Sequence, residues 1–220
     1  IKKFLNKNNL INENWNALNV LVQNASTVGL VDLKILPNEQ GNYDFFEKLY
    51  NGKFKLIYFL GSDNIEFKKN HEFVIYQGSH GDRGAEIADV ILPSAAYTEQ
   101  NGLYQNLEGR VQECRKASYP IGESKEDWRI FNSILKKDDQ NYKSLNFELL
   151  REEAKKMISN FKELNELPKK TLVKKEEETK FLSEKIIINH LDYYYSNSIS
   201  RASKTMSECR QIKQAIRKTG

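Results

Sequence analysis

The residues whose types and spacing could do chemistry gather in one stretch, positions 77–110. It opens with Gln77-Gly78-Ser79-His80-Gly81-Asp82-Arg83-Gly84. His80 and Asp82, two apart, could work as an acid–base pair. The plainer reading is that both hydrogen-bond their own turn. Gly78, Gly81 and Gly84 recur every three residues, and glycines at a strand end allow close backbone approach, so a phosphate cradle is conceivable. Neither GxGxxG nor P-loop spacing is present, which leaves a structural turn as the plainer alternative. Further on, Glu99, Asn101, Asn106 and Glu108 stand about the aromatics Tyr97 and Tyr104 and could line a pocket. Polar loop residues more often satisfy backbone groups. His71 and His190 have no partner at metal-ligand spacing. Cys114 has no histidine beside it in sequence, which argues against a catalytic thiol.

Composition narrows the classes. The 220 residues suffice for one domain with an appended helical segment. Thirty-four Lys+Arg against thirty Asp+Glu give +4, too mild a field for a dedicated nucleic-acid binder. An aromatic share of 11% argues against a disordered chain. Two cysteines, Cys114 and Cys209, cannot provide the four thiolates an iron–sulfur cluster takes, and no zinc spacing occurs. The longest apolar run, residues 56–60, is far short of the roughly 20 a bilayer span needs. No signal peptide is evident. The sequence begins at Ile1 and its methionines are Met157 and Met206, which reads as a chain processed, unusually initiated or cut from something longer.

Three zones must position these residues. In residues 1–54, Trp15, Leu18, Val22, Ala25 and Val28 follow a 3–4 spacing that predicts an amphipathic helix, capped by Asn12 or Asn14 and ended by Gly29. Pro37 and Gly41 mark a loop, and residues 44–50 begin a short helix stopped by Gly52. Residues 55–122 hold seven of the eleven glycines. There the apolar runs 56–60, 73–76 and 88–92 read as three strands buried on both faces, a piece of a parallel, helix-covered sheet. In open α/β sheets, ligands sit beyond the carboxyl ends of such strands. Residues 123–220 read as helical. Ser124 with Asp127 is expected to cap a helix carrying Trp128, Ile130, Phe131 and Leu135, and residues 147–164 form a second. Residues 151–180 carry 16 charges in 30, a solvated surface or connector. From Ser198, the stripe Ile199, Ala202, Met206, Cys209, Ile212 and Ile216 predicts a helix that wants a docking surface.

These stretches bear a family resemblance. Residues 75–85, 87–93, 95–99 and 106–112, together with Asp192-Tyr193-Tyr194-Tyr195 and the run Asn197 to Met206, resemble the large iron–sulfur (75 kDa) subunit of respiratory complex I. Residues 25–37 resemble the helix and exit loop that precede its strand. The C-terminal part of that subunit is itself similar to molybdopterin oxidoreductases. Their motifs, Ala-Asp-Val-x-Leu-Pro and Glu-x-x-Gly-x-x-x-Asn-x-Glu-Gly-Arg, stand here at 88–93 and 99–110.

The resemblance implies an α/β fold: a partial parallel sheet of a molybdopterin oxidoreductase-like domain over residues 1–137, followed by a charged helical connector and a C-terminal docking helix over 138–220. It implies a structural, non-redox role in the peripheral arm of complex I, whose reaction takes electrons from NADH to ubiquinone coupled to proton translocation. No catalytic or metal residue is expected. Gly61, Ser62, Asp63, Gln77, Gly78, His80 and Asp82 would line a vestigial cofactor crevice, and Asp63 would set an anion where the family's Asn meets a phosphate. No cofactor is expected in this chain; iron–sulfur clusters and FMN would lie in partner chains. The chief partner would be a chain carrying the iron–sulfur N-terminal part of the same subunit, with no nucleic acid and no direct membrane span. The location would be the matrix-side arm at the mitochondrial inner membrane, or the cytoplasmic face of a bacterial one. A member starting midway through the family's C-terminal part points to a split gene or split product. The alternative is half of an active molybdopterin-dinucleotide oxidoreductase.

Overall fold

The computed structural model describes residues 2–12, 16–22, 24–35, 45–62, 65, 68–158, 163–167 and 192–219. The chain forms two compact units, each drawn from separate stretches: Ile1–Pro37, Asn101–Lys116 and Asp139–Glu184 in the first, Asn38–Gln100, Ala117–Asp138 and Lys185–Gly220 in the second.

The second unit is built on three parallel strands in the order β1 (Leu56–Leu60), β2 (Phe73–Gly78), β3 (Val90–Pro93). The first run lies where the sequence places it. The second continues through Gly78, and the third starts two residues later than expected. The reason for the late start is Asp89, whose N–H donates to Val74 O and whose carboxylate accepts the Val74 N–H, each at 2.8 Å. Asp89 therefore clasps β2 rather than entering the ladder, and Ala88 packs on the core with Ile87. Lys69 donates to the other Asp89 oxygen.

One face of this sheet is buried. Ile57, Phe59, Val74 and Tyr76 close on Leu49 from helix α3 (Phe45–Tyr50). Gly52 takes a left-handed φ of +62° just past that helix, as a stop should. The opposite face departs from expectation: Leu56 is 56% exposed and Phe73 47%. Helix α5 (Asp127–Asp138) covers only part of it, stacking Phe131 on Tyr58 at 5.9 Å between ring centroids. Among the described residues of this unit, that face stays open at the starting ends of the strands and at Leu60, the far end of β1.

The glycine-rich turn winds into one helical turn, α4 (Arg83–Glu86), capped by Asp82, whose side chain accepts the Arg83 N–H. Ser124 is not the cap of α5. Its hydroxyl donates to Ile121 O, and Asp127 is already helical. The C-terminal helix is two helices. A capping box of Asn197 and Ser200 opens α7 (Ser198–Ala202), and Ser203 then turns extended and accepts the Met206 N–H at 3.3 Å as α8 (Lys204–Thr219) begins. Of the stripe, Ile212 and Ile216 stay largely exposed.

The first unit contains an antiparallel hairpin, β4 (Gly102–Gln105) and β5 (Val111–Cys114), where only polar loop was expected. It also holds α1 (Lys2–Lys7), α2 (Thr27–Asp32) and α6 (Phe147–Met157). The helix expected from Trp15 to Val28 does not form over residues 16–22. There Asn16 Oδ1 accepts the Leu18 N–H at 2.9 Å, a local side-chain bond that competes with helix. Trp15 and Asn14 lie outside the described residues, as do Pro37, Gly41 and Asp44. The helix forms later and runs through Gly29, its expected stop. Helix α6, capped by Asn146, ends at Met157 rather than near 164, because Ile158 turns extended into a small core with Val111.

Tyr76 constrains the turn above it. A Cβ on Gly84 would lie 2.9 Å from the Tyr76 ring and 3.1 Å from Ser62 O, and Tyr76 is pinned by its hydroxyl donating to His80 O at 2.6 Å. Gly84→Ala is expected to destabilise the fold by about 1–3 kcal/mol, read as a lower denaturation midpoint at unchanged slope.

Candidate functional site

The carboxyl ends of β1 and β2 bring Gly61, Ser62, Gln77 and Gly78 to one edge, with His80 and Asp82 in the turn beyond. Asp63 lies outside the described residues. Gln77 is fully buried. Its Nε2 donates to Asp127 Oδ1 at 2.6 Å, and its Oε1 accepts from the Tyr58 hydroxyl. Asp127 Oδ1 also accepts from Ser94 Oγ at the end of β3, and Oδ2 accepts from Gln100 Nε2 at 3.1 Å. Gln100 Oε1 in turn receives the Asp127 N–H at 3.3 Å. One carboxylate at the start of α5 thus gathers the ends of the sheet. Burial and the negative charge of Asp127 push the Tyr58 hydroxyl above its usual range.

The turn residues are spoken for as well. Gly61, at φ +62°, donates its N–H to Gln77 O, and Gly78 O accepts the Ser94 N–H. His80 Nδ1 lies 3.0 Å from Ser79 Oγ. Asp82 receives the Arg83 N–H at 2.9 Å and Arg201 Nε at 2.6 Å. No hydrogen bond joins His80 to Asp82 among the described residues; the carboxylate faces a guanidinium from α7 instead. Partial burial pushes the Asp82 carboxyl up, but the Arg201 bond, the Arg83 N–H and the two positive charges outweigh it and hold it below the ordinary 3.8.

The later motif residues serve their own backbone. Glu99 accepts the Ala96 N–H, and Asn101 the Lys116 N–H. Asn106 Oδ1 receives the N–H groups of both Glu108 and Arg110, closing the hairpin around Gly109 at φ +86°. Arg110 donates to Asn165 O at 2.8 Å. Cys114 and Cys209 are free thiols. His190 lies outside the described residues, and no group of three or more His, Cys, Asp or Glu among the described residues could hold a metal ion. No helix among them is long and apolar enough to cross a membrane.

Asp127, Ser94, Gln100 and Arg201 were not among the sequence-derived site residues. Gln77 and Asp127 lie 50 positions apart, and Asp82 and Arg201 lie 119 apart. No local pattern pairs them. Arg201 does stand inside the C-terminal motif, which was its only signal.

The family described as molybdopterin oxidoreductase matches residues 1–137. The chain belongs to that family. A second match, to the C-terminal part of the NADH-ubiquinone oxidoreductase G subunit, covers residues 164–209. Among similar proteins, the NADH-ubiquinone oxidoreductase 75 kDa subunit of Reclinomonas americana is 37% identical over 205 residues, covering 90% of this chain and 29% of the relative. The NADH-quinone oxidoreductase G subunit of Rickettsia bellii is 35% identical over 221 residues, with 100% and 31% covered. The mitochondrial NADH dehydrogenase [ubiquinone] iron-sulfur protein 1 of Solanum tuberosum is 31% identical over 207 residues, with 92% and 27% covered. The chain spans about 30% of the length of these relatives.

Molybdopterin oxidoreductases take their name from a pterin cofactor, which in its dinucleotide form carries a pyrophosphate. Most of the described side chains at this edge are already bonded within the protein, which leaves such a group few side-chain donors. A pyrophosphate needs outward-facing donors. Here the Gly61 N–H and the Gln77 amide are turned inward on the protein. The carboxylates of Asp82 and Asp127 stand at the same edge, that of Asp82 answered by Arg201, and Asp127 would disfavour an anion beside it.

Two outcomes follow. Asp127→Ala strands the donors of Gln77 and Ser94 and is expected to cost about 3 kcal/mol, whereas Asp127→Asn, which keeps an acceptor, costs less. Both are to be read by chemical denaturation, and titration near 295 nm should show the Tyr58 hydroxyl ionising at lower pH in Asp127→Asn. For Asp82, whose folded value is depressed, the stabilisation is present above the ordinary 3.8 and is lost as pH falls through the folded value. Asp82→Asn should therefore destabilise the protein at neutral pH, and its deficit should shrink below about pH 4, measured as denaturation midpoints across that range.

Proposed function

We propose that the chain is a structural, non-redox part of the peripheral arm of respiratory complex I. The whole complex transfers electrons from NADH to ubiquinone and couples this to proton translocation. The chain completes a molybdopterin oxidoreductase-like domain by packing on a second polypeptide, which carries the iron–sulfur N-terminal part of the same subunit. Iron–sulfur clusters and FMN belong to partner chains. The place is the matrix face of the mitochondrial inner membrane.

The observation that carries this reading is the open face of the parallel sheet. Parallel sheets are covered on both faces, since each exposed strand face is an apolar liability. Here Leu56, Leu60 and Phe73 of neighbouring strands stand exposed. Relatives about three times as long, named as NADH-ubiquinone and NADH-quinone oxidoreductase subunits, have further length from which a covering body would come. The inward-turned crevice and the absence of a four-thiolate set in the sequence support a role without a redox centre.

The test is co-purification followed by metal analysis. The chain alone is expected to self-associate and bind a hydrophobic dye, and the complex with its partner is expected to hold iron only on partner cysteines. Stoichiometric iron lost on replacing Cys114 or Cys209 overturns the scaffold role, as does bound molybdenum or tungsten. A solitary, monomeric and catalytically competent chain overturns the whole reading.

A further inference from the structure

The first unit holds a groove of about 250 Å³ bordered by α2, the β4–β5 hairpin and α6. Its wall is largely apolar, with Leu30, Leu33, Leu103, Phe147 and Leu150. Two polar atoms in side chains that border it have no hydrogen-bond partner and are closed to bulk water: Gln105 Oε1 and Arg151 Nε. Gln105 is only 4% exposed. Its orientation is settled by its nitrogen, which donates to Asp32 Oδ2 at 2.7 Å and Gly109 O at 3.4 Å, so the oxygen is the end left over. Gly29 keeps space beside it, since a Cβ there would stand 4.0 Å from that oxygen. Arg151 has its charge answered by Glu113 at 3.2 Å, while its buried Nε–H is left without an acceptor.

An unmade bond at a buried donor or acceptor is costly, so this pair marks an unfinished surface. The required ligand chemistry is narrow. A carboxylate would meet the Gln105 oxygen and find Arg151 already neutralised. A cation would meet the guanidinium. What fits is an uncharged group that accepts and donates at once, beside an apolar body. A peptide unit does this, its carbonyl toward Arg151 Nε and its N–H toward Gln105 Oε1, with an adjacent apolar side chain in the groove.

We propose that the groove seats an extended polypeptide segment from outside this chain, held by one such peptide group once Gln105 and Arg151 shift toward the groove they border. This rests on the assembly reading above, because the relatives carry well over half of their length beyond the stretch matched here. The unit itself calls for the segment. Among the described residues, its core cluster has two buried members, Val111 and Ile158, with Leu33, Leu103, Ala154 and Leu164 only partly covered.

The experiment places a photo-cross-linking p-benzoyl-phenylalanine at Ser26, on the exposed groove rim, or at Leu60, on the open sheet face. Each is made in the full chain co-expressed with the polypeptide carrying the rest of the subunit, and cross-linked peptides are read by mass spectrometry. Both positions are expected to join that partner, Ser26 through a single short segment containing an apolar side chain. Arg151→Lys keeps the charge opposite Glu113 but lacks the Nε donor, and it is expected to raise the dissociation constant of the complex roughly tenfold. Partner capture at Leu60 but not at Ser26 overturns the groove proposal alone. So does an unchanged dissociation constant, or Ser26 joined only to this chain, to a second copy of it or to a small molecule. Capture at neither position overturns the assembly reading and the groove with it.

Discussion

One buried amide holds the carboxyl edge of the sheet together. Gln77 lies at the end of the middle strand with both ends of its side chain used: Tyr58 of β1 bonds its oxygen, and its nitrogen bonds Asp127 at the start of α5. Asp127 extends the same net to Ser94 beyond β3 and to Gln100. Hydrogen bonds to a charged acceptor in a dry setting are the strong ones, and every strand of the sheet is tied in directly or through Gln77. The register of the strands, the seat of α5 and the stacking of Phe131 on Tyr58 all depend on that net remaining complete.

The same net decides what the edge can do. In open α/β sheets the strand ends offer free donors to a ligand. Here the side-chain donors of Gln77, Ser94 and Gln100 face the carboxylate of Asp127. Arg201, brought to the turn from the C-terminal helices, is committed to Asp82 with both side chains mostly covered. Among the described residues, much of the side-chain hydrogen-bonding capacity of this edge is thus spent inside the protein. Among the described residues, each of the two units leaves large apolar side chains exposed.

Much of the architecture was legible in local pattern. The β1 and β2 runs announce themselves through unbroken apolar residues, and the stop at Gly52 through a glycine where left-handed backbone is needed. The C-terminal start at Asn197 is a local device too, since a cap and its reciprocal partner are three residues apart. In two places where local pattern misled, a competing short-range bond was the cause. Asn16 captures the Leu18 N–H and disrupts an apolar period that otherwise reads as helix. Asn106 folds a polar stretch into a hairpin by accepting two N–H groups at once.

The sequence by itself determined the strand order's raw material, the family motifs at 88–93 and 99–110, and the lack of a thiolate set for a cluster. These are properties of residue type and near spacing, which a linear reading contains in full. The tertiary structure alone decided that Gln77 answers Asp127, that Asp82 answers Arg201, and that part of the sheet's second face lies open among the described residues. Such pairings join residues 50 and 119 positions apart. Their partners are chosen by how the strands and helices pack, and no spacing along the chain carries that choice.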